Sequence, residues 1–454
     1  MLLPCASNLR AQRDLGVDFE SGEHALVEGD NLEVLKLLAS SCAGTVDLVY
    51  IDPPYNRGHD RLYPDDYSVT RKDYAARSTT GDDGASGHLH AQWLSLMAPR
   101  LALARELLHE TGIIAVSIDQ LEVSRLRLLM EELFGEENFV AEIVVSLNPK
   151  GRQLAPFFAT SHEYLLVFAR DFRKTALVAA SKESVDPSDF PRADERGRYR
   201  LLPLRNTNKK FNPTSSRSMH FAVWAHPRDG RVRAEPFEDA VEVWPVFGDG
   251  SSAVWRWSAR RIESDCDQLV ARQVKGRGGA RLDVYQIDRL TPERTKKLRT
   301  IWTSAEVGST DDAVSQLKAL VGPVFPTPKP VGLLRRLLAT MPKDSVVLDF
   351  FAGSGTTGQA VIEANADDGG TRRCVLVQAV EPTEPGGEAA QRGLASIAAI
   401  AAARMRATIE RCRAARASGV PGPGLRVFEL SPAAPEAGLD DDRELLVQVF
   451  RRRS

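Results

Sequence analysis

Three short apolar runs in this chain share one ending. DLVYID (47–52), GIIAVSID (112–119) and SVVLDFF (345–351) are too uniformly apolar for strands with one wet face, and each runs into an acid. Strands of this kind belong in parallel sheets covered on both faces. In open α/β sheets the carboxyl ends of such strands are where ligands gather. The segments around them alternate. LVEGD reads as a strand and NLEVLKLLAS as a helix, with Leu32, Leu35 and Leu38 on one side. A helix is expected over His90–His109, then a second, LEVSRLRLLMEELFG, ending at Gly135. AEIVVSL and EYLLVFA follow as strands. Later come a helix near 330–340, the strand RRCVLVQAVE and an Ala/Arg-rich helix around 389–416. Repeated β/α alternation predicts an α/β fold with a mainly parallel sheet.

Composition narrows the setting. The 454 residues are 43% hydrophobic and 26% charged, an ordinary globular balance. MLLPCASNLR is too short and broken for a signal peptide, and no apolar run has the length of a membrane span. Five scattered cysteines without a CxxC pair fit a reducing cytosol and offer no disulfide or zinc framework. A cytoplasmic protein without a membrane or metal partner is the expectation. His88 and His90, in a Gly/Ser/Asp-rich stretch, are expected to be solvated, and residues 57–88 are expected to form a long loop.

Net charge is −2, yet the charge is unevenly placed. Residues 141–300 hold 29 Lys and Arg against 20 Asp and Glu, and the remainder holds 30 against 41. A basic centre between acidic flanks suits a polyanion-binding face. Between about 170 and 305 the chain mixes basic residues, short strands and turns with Trp224, Trp244, Trp255 and Trp257, which reads as a smaller mixed insertion. The tryptophans there are expected to be core rather than stacking platforms. The expected division is 1–170 and 306–430 for two halves of one α/β domain, 171–305 for the insertion and 431–454 for an acidic and basic surface tail.

Two strand ends carry chemistry. After the first run come Asp52, Pro53, Pro54 and Tyr55: an acceptor, two residues that stiffen the exit from the sheet, and a flat ring with a polar tip. After the last run comes DFFAGSGTTGQAV (349–361), where Gly353 and Gly355 let the backbone approach a ligand and a helix N-terminus follows. Gly353, Gly355 and Gly358 also fit GxGxxG, with Glu381 after the next strand, so a nicotinamide-dependent oxidoreductase is a competing reading. A dehydrogenase has no need of DPPY.

Taken in order, VEGDNLEVLKLL, DLVYIDPPYN, GIIAVSID, HEYLLVFA, RNTNKKFNP, TPKPVGLL and VLDFFAGSGTTGQAV resemble the β-type, permuted DNA adenine-N6 methyltransferases. The resemblance is greatest to the modification subunit of type III restriction–modification systems and spans about 25 to 381. It implies a Rossmann-like, circularly permuted fold that uses S-adenosylmethionine and carries an inserted target-recognition region. Adenine would be flipped out of double-stranded DNA. Its N6 hydrogens would be accepted by Asp52 and the Pro53 carbonyl, with Pro54 shaping the turn and Tyr55 stacking on the base. Phe351, Gly353 and Gly355 would wrap the methionine portion, and Glu381 would accept from the ribose. Asp30 would lie near the adenine of the cofactor or cap a helix. Lys329 would belong to the cofactor segment, and Asp349 would support the glycine loop.

The resemblance also makes the insertion the DNA reader. Arg196, Arg198, Arg200, Arg205, Lys209 and Lys210 are its candidate DNA-binding residues, most of them on phosphates. Relatives often act as dimers and beside a restriction subunit, so a homodimer and a restriction or defence-system partner are candidate assemblies. The longer members extend further at both ends, which leaves a solitary methyltransferase open. Cytosine-N4 methylation and a catalytically idle DNA-recognition subunit are the rival functions.

Overall fold

The computed structural model describes residues 7–56, 85–151, 157–175, 177, 183–184, 187–276, 279–291, 295–296, 298–415, 423–432 and 439–451. The chain divides into two compact units, Met1–Ser181 with Leu298–Ser454, and Lys182–Lys297.

The larger unit is built on one ten-stranded sheet. Its strands in chain order are β1 Ser7–Ala11, β2 His24–Glu28, β3 Val46–Ile51, β4 Leu108–Ile118, β5 Phe139–Val145, β6 Glu163–Ala169, β7 Ile301–Trp302, β8 Val346–Asp349, β9 Arg373–Gln378 and β10 Leu425–Pro432. Across the sheet the order is β1-β10-β2-β9-β8-β3-β4-β6-β5-β7. The six strands from β10 to β4 are parallel, β6 is antiparallel to both β4 and β5, and β1 closes the other edge antiparallel to β10.

Side chains of the central strands alternate between two apolar layers, as a period of two requires. Val27, Val49, Ile51, Ile114 and Val116 face one core with α1 Asn31–Cys42, α2 Ala85–Leu107 and α3 Val123–Phe134. Leu26, Leu48, Tyr50, Ile113 and Ala115 face the other, filled by α5 Val331–Leu338, α6 Thr356–Asp368 and α7 Ile397–Ala414; α4 Thr310–Val321 packs beside α7. Both faces of β3 are therefore covered, which is why its sequence carries no polar alternation. The one acid inside it, Asp47, accepts the Val346 N–H at 2.8 Å and so ties β3 to β8.

Several expectations need correction. The helix expected over His90–His109 starts at Ala85 and stops at Leu107, because β4 begins at Leu108 and takes His109 into the sheet. His90 is not simply solvated: its Nδ1 meets the carboxylate of the buried Glu122. The side chain of His88 and the loop residues 57–84 lie outside the described residues. In the expected tail, 431–454, the described residues 439–451 are not surface chain. Helix α8, Leu439–Phe450, buries Leu446, Val447, Val449 and Phe450 in the first core, since its apolar residues recur at helical spacing behind the acidic start. No helix among the described residues is long and apolar enough to cross a membrane.

The smaller unit contains a four-stranded antiparallel sheet, Arg192–Asp194, Gly197–Pro203, Gly279–Arg289 and Leu269–Gly276, and a three-stranded one around Val223–Ala225. Trp255 and Trp257 are core, whereas Trp244 is exposed against His220.

His24 in β2 is fully buried with Nδ1 on the Cys374 N–H of β9 at 3.3 Å. Burial, aided by Arg373, pushes its pKa from 6.5 down to about 4. The unfolded chain takes up this proton below 6.5, but the native state does so only near 4. Stability from this residue is thus complete above 6.5 and declines as pH falls toward 4. Between pH 7 and pH 5 it should cost about 2 kcal/mol. Denaturant titrations of the wild type and His24→Asn at both pH values should show a pH loss smaller by roughly that amount in the variant.

Candidate active site

Strands β3 and β8 are hydrogen-bonded neighbours, with Leu48 opposite Val347 and Val49 opposite Leu348. Their carboxyl ends therefore deliver Asp52 and Asp349 side by side, although 297 positions of sequence separate them. The next strands outward, β9 and β2, end at Gln378 and Glu28. Asp30, Glu381, the glycine turn and Asp52-Pro53-Pro54-Tyr55 thus share one edge of the sheet. Glu381 lies three residues beyond β9, in a turn where its carbonyl accepts the Ile397 N–H.

The DPPY turn is held from several directions. The Trp93 indole donates to the Pro54 carbonyl at 2.7 Å. Asn56, at φ +59°, donates to Glu122 at 2.7 Å, on the carboxylate that also meets His90. Tyr55 Oη donates to Asp52 Oδ1 at 2.7 Å and lies 3.0 Å from Glu163 Oε2. Lys329 Nζ lies 2.6 Å from both Tyr55 Oη and Glu163 Oε2 and 3.2 Å from Asp52 Oδ1. One ammonium thus meets two carboxylates and a phenol, all of them partly buried.

The electrostatics follow from that crowding. Burial raises the Asp52 pKa, Lys329 opposes the rise, and Glu163 adds to it, for a net upward shift. Burial lowers the ammonium pKa of Lys329, but Asp52 and Glu163 outweigh it and leave the group charged. Tyr55 is pushed well up by burial and then by the two carboxylates, so it remains a neutral donor. Asp52 Oδ1 is engaged, whereas neither Asp52 Oδ2 nor the Pro53 carbonyl has a hydrogen-bond partner among the described residues.

The glycine turn is equally constrained. Gly353 and Gly355 have φ of +51° and +79°, the left-handed region. A Cβ on Gly355 would also meet the Ala401 backbone at 3.1 Å. Asp349 lies beneath the turn, its carboxylate accepting from Phe351 N at 3.0 Å and Thr357 Oγ1 at 2.5 Å. Burial nonetheless lifts its pKa to about 7. The wholly buried Arg404 donates to Ser354 Oγ, Thr356 Oγ1 and Gln359 Oε1 behind the turn, and Gln378 Oε1 accepts the Gly353 N–H at 2.8 Å. Phe351 is buried. Asp30 caps α1 through the Glu33 N–H at 3.0 Å, and its neighbour Asn31 donates to the Phe350 carbonyl at 2.8 Å.

Lys329 departs most from expectation. Its side chain turns to Asp52 and Tyr55, and only its carbonyl, accepting from Thr356 Oγ1 at 3.3 Å, touches the glycine segment. Glu163, Glu122, Gln378 and Arg404 were not singled out from the sequence. The signal for Glu163 was its place at the head of the strand EYLLVFA; the others carried none that distinguished them from surface residues.

Within the smaller unit the six basic residues separate into two groups. Arg200 pairs with the buried Asp288 at 2.7 Å and Arg205 with the buried Asp283 at 3.1 Å, as partners those buried acids require. Arg196, Arg198, Lys209 and Lys210 are exposed, with Lys209 on Asp249 at 2.5 Å and Arg196 3.7 Å from Asp267. The structure therefore takes Arg200 and Arg205 out of the group of freely presented cations.

Residues 46–371 match the model of a family described as DNA methylase, of the N6/N4 methyltransferase kind. The chain is 31% identical over 389 residues to the type II methyltransferase M.KpnI of Klebsiella pneumoniae, covering 85% of this chain and 88% of that one. It is 34% identical over 379 residues to the EcoPI Mod subunit, a type III restriction–modification protein of Escherichia phage P1, covering 79% of this chain and 58% of the relative. The StyLTI Mod subunit of Salmonella typhimurium is 31% identical, with 52% of its length covered, so the chain spans little more than half of these Mod relatives. Because the family model takes in most of the chain, including both strand ends described above, the protein belongs to the DNA methylase family.

Proposed function

We propose that this site moves a methyl group from S-adenosylmethionine to N6 of an adenine flipped out of double-stranded DNA. The observation that carries the reading is a pair of acceptors without a partner among the described residues, Asp52 Oδ2 and the Pro53 carbonyl, beside a tyrosine ring anchored through its hydroxyl. An exocyclic amine has two hydrogens to give and a lone pair delocalised into its ring. Two acceptors on one side draw those hydrogens out of plane and leave the lone pair aimed the other way. Tyr55 is tied to Asp52, Glu163 and Lys329, so its ring offers a stacking face of fixed orientation.

The cofactor site fits the same edge. The two left-handed glycines leave a cradle without side chains at the carboxyl end of β8, next to the ends of β9 and β2. Phe351, Gly353 and Gly355 would hold the methionine portion, with Glu381 at the ribose and Asp30 near the adenine. When bound, S-adenosylmethionine supplies an electrophilic methyl on a sulfonium. The protein's own part is position and charge: Asp52 accepts from the amine, and the Lys329 ammonium offsets the repulsion between its carboxylate and that of Glu163.

The catalytic strand precedes the glycine turn, with the smaller unit between them, and we read this as a permuted order with an inserted target-recognition unit. Arg196, Arg198, Lys209 and Lys210 would contact phosphates there, and a restriction subunit would be the protein partner. Replacing these four by Ala should flatten the dependence of log affinity on log salt by about 2 to 4, measured by fluorescence anisotropy on duplex DNA.

Methylome sequencing of a host expressing the chain tests the reaction directly. Methyl-N6-adenine at one motif is expected, and methyl-N4-cytosine or an unmodified genome would refute the assignment. Asp52→Ala should keep the fold and lower transfer on the order of 10³-fold or more. Lys329→Met should leave two partly buried carboxylates uncompensated and cost about 1 to 3 kcal/mol in denaturant melts, with Glu163→Gln in the same chain restoring part of it.

A further inference from the structure

Phe157 and Phe158 are the most exposed large apolar side chains among the described residues, at 87% and 86%, and they are consecutive. Exposing two whole phenyl rings side by side forgoes hydrophobic stabilisation that any inward turn would recover. Their place in the fold gives them an occupant. They lie on the connection from β5 to β6, which leaves the same carboxyl edge of the sheet as Asp52 and returns at Glu163, the residue bonded to Tyr55 and Lys329. Phe157 precedes Glu163 by six residues, so its Cα lies no more than about 22 Å from the Cα of that residue.

The stem of this connection is anchored within the larger unit. Asn148 N donates to the Ser161 carbonyl at 3.2 Å and Thr310 N to the Leu147 carbonyl at 3.0 Å, while Lys150 pairs with Asp311 at 3.0 Å. The rings are therefore carried on a fixed base beside the site. Between Val145 and Glu163 the sequence, SLNPKGRQLAPFFATSH, has no acid to repel a phosphate backbone, and of its two basic residues Lys150 is the one paired with Asp311.

We infer that Phe157 and Phe158 form an apolar wedge that enters the duplex as the target base leaves it. This rests on the base-flipping reading above. Extraction of a base breaks its stacking on both neighbours, and an apolar side chain placed in the gap restores contact that water cannot. Two adjacent rings, exposed among the described residues, are suited to filling that space. Their exposure in the unbound protein is then a consequence of their partner being DNA.

The test uses the full chain in single-turnover methylation of two duplexes bearing the motif that methylome sequencing defines. One is fully paired, and the other has an abasic residue opposite the target adenine, which lowers the cost of extraction. Phe157→Ala/Phe158→Ala should slow transfer about 10- to 100-fold on the paired duplex and less than about 3-fold on the abasic one. Phe157→Leu/Phe158→Leu, which keeps bulk, should recover most of the paired rate. Equal loss on both duplexes, or no loss on either, overturns the wedge while leaving methylation by the wild type intact. A wild type that methylates neither duplex overturns the methyltransferase reading and the wedge with it.

Discussion

The Lys329 ammonium is the interaction on which the site depends. It contacts Asp52, Tyr55 and Glu163, which come from two other parts of the chain, and its own backbone carbonyl reaches the first turn of α6 behind the glycine loop. A cluster of this kind is not a cheap way to hold a fold together, because desolvating three charged groups offsets much of their attraction. What it gains is geometry. With one positive charge between two carboxylates, the protonation of Asp52 that burial favours is opposed, and the phenol has one orientation.

The surrounding structure makes that geometry rigid. The DPPY turn is braced by Trp93 on one side and by Asn56, Glu122 and His90 on another. The glycine turn is braced from beneath by Asp349 and Thr357 and from behind by Arg404. Reactions of an exocyclic amine with an activated methyl gain most from alignment, so residues that touch no reacting atom still matter to rate.

Much of the larger unit was legible because β strands buried on both faces have an unmistakable composition. DLVYI, IIAV and VVL allow no other placement, and the helices between them carry their apolar residues at helical spacing. Where the reading failed, the reason is local. Leu108 continues a helical pattern yet pairs with Val46 of β3, since a strand extension there buries its side chain. The acidic DDDRE stretch looked like solvent-exposed chain, but the apolar residues after it fill a gap against α1 and β1. Charge counted along the chain likewise could not separate Arg200 and Arg205, which neutralise buried acids, from the exposed cations beside them.

The sequence by itself determined the class of fold, the family, and the two motifs that carry the chemistry, because each depends on residue types at short spacing along one strand and turn. Only the tertiary structure decided which way Lys329 faces and that Glu163 joins Asp52 and Tyr55. Those outcomes depend on which strands lie side by side. Parallel pairing joins segments hundreds of residues apart, and nothing in the local order of residues records the neighbour across the sheet.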